Sequence, residues 1–276
     1  MKLGYSYWPA KQTEKSKLLF LHGMGGTGQL WRPIAASLEN EYSILAPDQR
    51  GHGGSRPIDS NDYTPVAFAQ DVIELTQKLS FSPTYVIGHS MGARTACAYA
   101  HLNPTQTKGI CIIDLGFDGI AGGGLGNNLY KLLKDLPTRF DSRDAAKNYL
   151  ELNSPDPAIS QYLMAVSIAD NPKDLSGALS FPFDKDALLK TIENAKGVSL
   201  SDWIKEFGEK GLSTLILRGA ESKVWSKSEY KSEKAKFNSY SSLLFEEFEG
   251  AGHGLPFEKR LLFVERIKKW IHKNAD

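Results

Sequence analysis

Short aliphatic runs that end in glycine, aspartate or serine constrain this chain more than any other feature. "KLLFLHG" (17–23), "YSILAPD" (42–48), "TYVIGHS" (84–90) and "GICIID" (109–114) are too short for amphipathic helices and too continuously apolar for half-exposed strands. They read as strands buried on both faces. Between them Leu30, Ile34 and Leu38, and then Phe68, Val72, Leu75 and Leu79, recur at helical spacing. The second of these helices opens with Thr64 as N-cap and Pro65 at its first position. Repetition of strand, helix and strand predicts a parallel sheet with helices on both faces, an α/β fold.

After Gly116 the strand signals stop. Leu129/Leu132/Leu133/Leu136, then Ile159/Leu163/Val166 behind an Asp156-Pro157 start, then Leu188/Leu189/Ile192 behind Asp184 give three helical patterns and predict an all-helical insertion. The glycine-rich 121–128 stretch lacks the strand and the spacing of a dinucleotide loop and reads as a hinge. "LSTLILRG" (212–219) and "SLLFEEFEG" (242–250) then resume the sheet, and a helix with Phe263, Ile267, Trp270 and Ile271 on one side closes the chain. The expected organisation is a core of residues 1–115 and 211–276 with a helical cap over 116–210.

Composition narrows the class. The 276 residues are 41% hydrophobic and 24% charged with a formal net charge of +1, which implies neither a nucleic acid nor an acidic surface as partner. Cys97 and Cys111 lie in apolar runs without a CxxC spacing, so they read as buried thiols rather than a disulfide or a metal site. No apolar run reaches membrane-spanning length and the N-terminus lacks a signal-peptide core, so a soluble, cytoplasmic protein is expected, without a membrane partner.

The chemistry concentrates in "GHSMG" (88–92), where a strand gives way to a helical segment. A serine between two glycines at such a junction fits a strained turn that lifts its hydroxyl above the sheet, although five-residue matches of this kind also arise by chance. A serine alcohol needs a base to remove its proton and a third group to orient that base. "FLHGMGGTG" (20–28) follows the first strong strand. Its spacing fits neither a dinucleotide fingerprint nor a phosphate loop, and the amides of Met24 and Met91 are candidates for an oxyanion hole. Of the six histidines, His22 reads as a structural member of that loop. His89 should point away from Ser90, His52 lies in a glycine-rich turn, and His101 and His272 fall near helix ends. His253, in "FEGAGHGLPFE" after the last strand, is the candidate base. Asp48 and Arg50, in "DQRGHGGS", read as hydrogen-bonding supports of the neighbouring loop.

"LLFLHGMGG", "DQRGHGGS", "VIGHSMGA" and "EGAGHGLPFE", in this order, resemble the α/β-hydrolase superfamily in its capped serine esterase branch with an HG-x oxyanion hole. The resemblance implies the α/β-hydrolase fold, a mostly parallel sheet flanked by helices with a helical cap inserted after the sixth strand. It implies Ser90 as nucleophile, His253 as base, Met24 and Met91 as oxyanion donors and a small-molecule ester substrate, while the lack of a metal-ligand cluster in the sequence leads to the expectation of no cofactor. Such enzymes usually carry their acid in a G-x-x-D pattern after the strand that "LILRG" matches, but here Ser222 stands at that position. Asp114, at the end of the preceding strand as in some small capped bacterial esterases, and Glu221, beside the vacated slot, are the two candidates. A serine–histidine pair without an acid is the third option. The expected activity is hydrolysis of carboxylic esters, thioesters included, of small to medium apolar substrates through an acyl-enzyme. The alternatives are carbon–carbon bond hydrolysis, a lyase-like reaction, or ligand binding without catalysis. Tyr130, Met164, Phe181, Phe183 and Trp203 are candidates for lining an apolar pocket.

Overall fold

The computed structural model describes residues 2–56, 60–117, 124–154, 157–195 and 198–274. Five strands come first: β1 (Tyr5–Trp8), β2 (Ser16–Leu21), β3 (Tyr42–Pro47), β4 (Tyr85–His89) and β5 (Gly109–Ile113). They are joined by α1 (Arg32–Leu38), α2 (Pro65–Lys78) and α3 (Met91–Leu102). The intervening segment holds α4 (Gly124–Asp135), β6 (Arg139–Phe140), α5 (Arg143–Asn153), α6 (Pro157–Val166), β7 (Ile168–Ala169), β8 (Leu179–Ser180), α7 (Lys185–Ala195) and α8 (Ser201–Glu209). The chain ends with β9 (Ser213–Gly219), α9 (Lys227–Phe237), β10 (Leu243–Phe248), α10 (Leu255–Glu258) and α11 (Arg260–Lys273).

The main sheet runs β1-β3-β2-β4-β5-β9-β10. Every neighbour in it is parallel except β1, which lies antiparallel on β3. Alternate residues of the inner strands feed two separate cores. Leu19, Leu21, Val86, Ile110, Ile112 and Ile216 pack under α2, α3, α8 and α9. Leu18, Phe20, Ile87, Cys111, Ile113 and Leu217 pack under α1 and α11. Burial on both faces explains why these strands carry no polar alternation. Thr64 caps α2 by accepting the Ala67 amide, and α11 buries Phe263, Ile267, Trp270 and Ile271 along one side.

Three features differ from the expectation. The insertion expected after a sixth strand follows the fifth strand of this chain. It is not all helical, because β6, β8 and β7 form a small antiparallel sheet of two-residue strands. Its last helix, α8, turns away from the rest: Ile204 and Phe207 belong to the core beneath α3, whereas Leu133, Leu150, Leu163, Phe181, Phe183 and Leu188 form a cluster of their own. Met24 and Leu30 pack against that separate cluster from below, so the insertion lies over the loop that follows β2. Of the 121–128 stretch expected to form a hinge, residues 121–123 lie outside the described residues, as does Asp156, whereas from Gly124 onward the stretch is the start of helix α4 rather than a hinge. Both cysteines are free and buried, and burial pushes the Cys97 thiol up to about 12. Among the described residues no helix is long and apolar enough to cross a membrane.

Candidate active site

The turn from β4 into α3 puts Ser90 at φ 52° and ψ −119°, a conformation that non-glycine residues avoid at a cost of about 1–3 kcal/mol. The glycines on either side make this turn sterically feasible. A Cβ on Gly88 would lie 2.2 Å from the Gly92 carbonyl oxygen, and one on Gly92 would lie 2.3 Å from that of Leu21. No side chain fits at such separations. The Ser90 amide donates to the Ile113 carbonyl at 2.9 Å, which fastens the turn to the end of the adjacent strand.

Asp114 is the next residue on that strand end. It is fully buried and adopts φ 51°, in the left-handed region that aspartate tolerates better than most residues. Its amide donates to the Leu217 carbonyl at 2.8 Å. This geometry turns the side chain across β9. There Oδ1 accepts the Gly219 amide at 2.9 Å, while Oδ2 accepts the Ser222 hydroxyl at 2.5 Å and pairs with His253 Nδ1 at 2.7 Å. Glu221 is exposed, and its amide is tied to the Ala251 carbonyl. Of the two carboxylates left open by the sequence, Asp114 is the one in contact with the imidazole.

The His253 loop is held from two further directions. His89 Nε2 lies 2.7 Å from the His253 carbonyl oxygen; a carbonyl only accepts, so the proton sits on Nε2. The two rings are 4.7 Å apart. Glu258 accepts the Gly252 amide at 2.6 Å and the Gly254 amide at 3.0 Å, gripping the loop on both sides of the histidine. Neither anchor is among the sequence-based expectations. The orientation of His89 away from Ser90 follows from strand alternation, which groups it with Tyr85 and Ile87 on the α11 side of the sheet. Its partner, a carbonyl 164 residues away, leaves no trace in the local sequence.

The loop carrying Met24 rests on two more buried histidines. His22 Nε2 accepts the Gln49 amide at 3.0 Å, and its Nδ1 donates to the Gly23 carbonyl at 2.8 Å. His52 Nε2 accepts the Gly25 amide at 2.9 Å, and its Nδ1 donates to the Arg50 carbonyl at 2.9 Å. Each ring thus uses one nitrogen as acceptor, which requires the neutral form. Burial drives the pKa of His22 down to about 4, and those of His52 and His89 to about 3. Asp48 accepts the amides of Gly28 and Gly54, and Arg50 pairs with Asp71 at 2.6 Å. Both side chains brace loops beside the site. Met91 supplies the first N–H of α3, which has no acceptor within the helix. The Met24 and Met91 side chains share one small cluster with Tyr63, Phe68 and Ala187.

The aromatic residues expected in the pocket separate into two groups. Phe181 and Phe183 stack at 5.3 Å, and the Phe183 ring lies against the Gly25 backbone, 3.3 Å from where a Cβ there would sit. Tyr130 and Met164 pack on the edge of the same cluster. Trp203 instead faces His101 at 5.9 Å on the outer side of α3. It belongs with the α8 packing and not with the site. Among the described residues no group of three or more His, Cys, Asp or Glu side chains is arranged to hold a metal ion.

A model of the α/β-hydrolase fold matches residues 17–260. A proposed esterase/lipase of Haemophilus influenzae is 29% identical over 276 residues, which cover 99% of this chain and 89% of that protein. Among solved structures, a marine microorganism esterase is similar with a TM-score of 0.76 at 20% identity, over 98% of this chain and 99% of that one. E-2-(acetamidomethylene)succinate hydrolase is similar with a TM-score of 0.77 at 20% identity, over 98% and 95%. At such identity these two structural likenesses speak for the fold alone.

Proposed function

The chain belongs to the α/β-hydrolase fold family, and on that premise we propose that it is a serine hydrolase of carboxylic esters, thioesters included, working through an acyl-enzyme. The observation that carries this reading is the 2.7 Å contact between His253 Nδ1 and the buried carboxylate of Asp114, formed at the end of the strand to which the Ser90 turn is fastened. In the mechanism this suggests, the Ser90 hydroxyl oxygen attacks the acyl carbon while His253 Nε2 takes its proton. Asp114 holds the proton on Nδ1, so that Nε2 is free to act as base, and it stabilises the imidazolium that forms. The amides of Met24 and Met91 receive the oxyanion. Collapse of the tetrahedral intermediate expels the alcohol, which leaves with the proton from Nε2. Water, deprotonated by the same nitrogen, then releases the acid and restores Ser90.

We assign residues 116–210 to a cap and residues 1–115 and 211–276 to the catalytic core. The apolar groups over the Met24 loop, Phe183 and Leu163 among them, support a small to medium, largely apolar substrate. The test is labelling by a fluorophosphonate together with a panel of p-nitrophenyl esters of increasing chain length. Ser90→Ala should abolish labelling and turnover while leaving the thermal midpoint within a few degrees. Retained turnover in the variant, or a folded wild type that neither labels nor turns over any ester, would sink the reading; the latter result would favour ligand binding without catalysis.

A further inference from the structure

We propose that Ser222 is a positioning residue for the acid, its hydroxyl fixing and partly neutralising the oxygen of Asp114 that faces His253. The inference rests on the serine hydrolase reading for its catalytic consequence and on geometry for the contact itself. Ser222 stands at the position where a carboxylate was expected after β9, is 6% exposed, and donates to Asp114 Oδ2 at 2.5 Å. That oxygen is the one paired with His253 Nδ1.

The direction of this hydrogen bond is fixed by its surroundings. The Val224 amide donates to Ser222 Oγ at 3.2 Å, occupying one lone pair and leaving the hydroxyl proton for the carboxylate. The loop is itself tied down by Arg218, a buried side chain whose guanidinium donates to the carbonyls of Ala220, Ser222 and Trp225 and to Glu247. With the Gly219 amide on Oδ1 and the Ser222 hydroxyl on Oδ2, the carboxylate plane is set independently of the imidazole. A hydroxyl also draws part of the charge that Oδ2 would otherwise direct at the imidazolium. Among the described residues, the titratable side chains that hydrogen-bond the His253 loop from other elements are Asp114, just after β5, His89 of β4 and Glu258 of α10, and the hydrogen bonds of His89 and Glu258 go to that loop's backbone rather than to Ser222.

Removing the hydroxyl should therefore loosen the carboxylate and concentrate its charge on His253. Ser222→Ala is expected to lower kcat about tenfold with KM little changed, to move the acid limb of kcat/KM to higher pH, and to shift the downfield imidazole Nδ1 proton resonance of His253. Ser222→Thr, which restores the hydroxyl, should return kcat to within about threefold of wild type. If Ser222→Ala fails to fold, Ser222→Cys, with a thiol that donates only weakly, takes its place and should show the same losses. A kcat, pH profile and Nδ1 resonance all matching wild type would overturn the proposal. The resonance keeps the two claims apart: a wild type without esterase activity whose Nδ1 signal still moves in Ser222→Ala refutes the hydrolase reading and upholds the positioning role.

Discussion

Acidification is the perturbation that should act most sharply on this fold, through the three histidines that brace the site. His22, His52 and His89 have an unfolded value of 6.5, lowered by burial to about 4, about 3 and about 3. Because the folded values are lower, the unfolded chain takes up protons below pH 6.5 that the fold refuses. The stability these rings support is complete above that pH and is lost as the pH falls towards the folded values. Near pH 5.5 the difference approaches three protons, and at 1.36 kcal/mol per proton per pH unit the slope is about 4 kcal/mol per pH unit. A domain of ordinary stability, roughly 5–15 kcal/mol, would exhaust much of it within two pH units. Urea unfolding followed by circular dichroism at steps from pH 7.5 to 4.5 measures this slope directly. His89→Gln, whose amide can still donate to the His253 carbonyl, should reduce it by about a third. Asp62, lowered from 3.8 by its Thr64 donors, adds its own loss only below that value. A slope no steeper than that of one proton, about 1.4 kcal/mol per pH unit, would refute the claim that all three rings are neutral in the fold.

Asp114→Asn, which keeps the shape but favours the wrong imidazole tautomer, should cost on the order of 10³ to 10⁴ in kcat, while Glu221→Gln stays within about tenfold; ester turnover under saturating substrate decides between them. Gly92→Ala places a methyl 2.3 Å from the Leu21 carbonyl oxygen and should destabilise the fold by about 3 kcal/mol or more. A urea midpoint unchanged from wild type would count against the close approach of α3 to β2.

Much of the frame is legible in the sequence because burial on both faces writes itself as uninterrupted aliphatic runs. β1 carries no such signature: Tyr5–Trp8 is four residues long and lies half-exposed on the sheet edge, too short for alternation to register. α9 has a faint apolar pattern because it buries only Tyr230, Glu233 and Phe237, and its one strong local signal is the Ser226–Glu229 capping box. The two-residue strands β6, β7 and β8 lie below any periodicity. Within the site, Ser90 and His253 stand in local patterns, whereas the choice between Asp114 and Glu221 depends on β5 lying beside β9 and on a left-handed backbone at Asp114. Neither is encoded within a window of sequence. The anchoring of His253 by His89 and Glu258, and the separation of Trp203 from the cluster built by α4 to α7, depend in the same way on contacts between distant segments.

The hydrogen bond from His89 to the His253 carbonyl sets a tolerance as well as a position. β4, which leads into Ser90, and β10, which precedes the His253 loop, are three strand spacings apart in the sheet, about 14 Å at 4.8 Å per spacing. Small errors in twist at each spacing would accumulate over that span before reaching the imidazole. The side chain next to Ser90 bypasses the span by gripping the far loop directly, so the Ser90 turn and the His253 loop are also joined through one 2.7 Å contact. Displacements of β5 or β9 still reach the imidazole through Asp114, so the His89 contact acts as a second, independent tie that limits how far such displacements can part the Ser90 turn from the His253 loop.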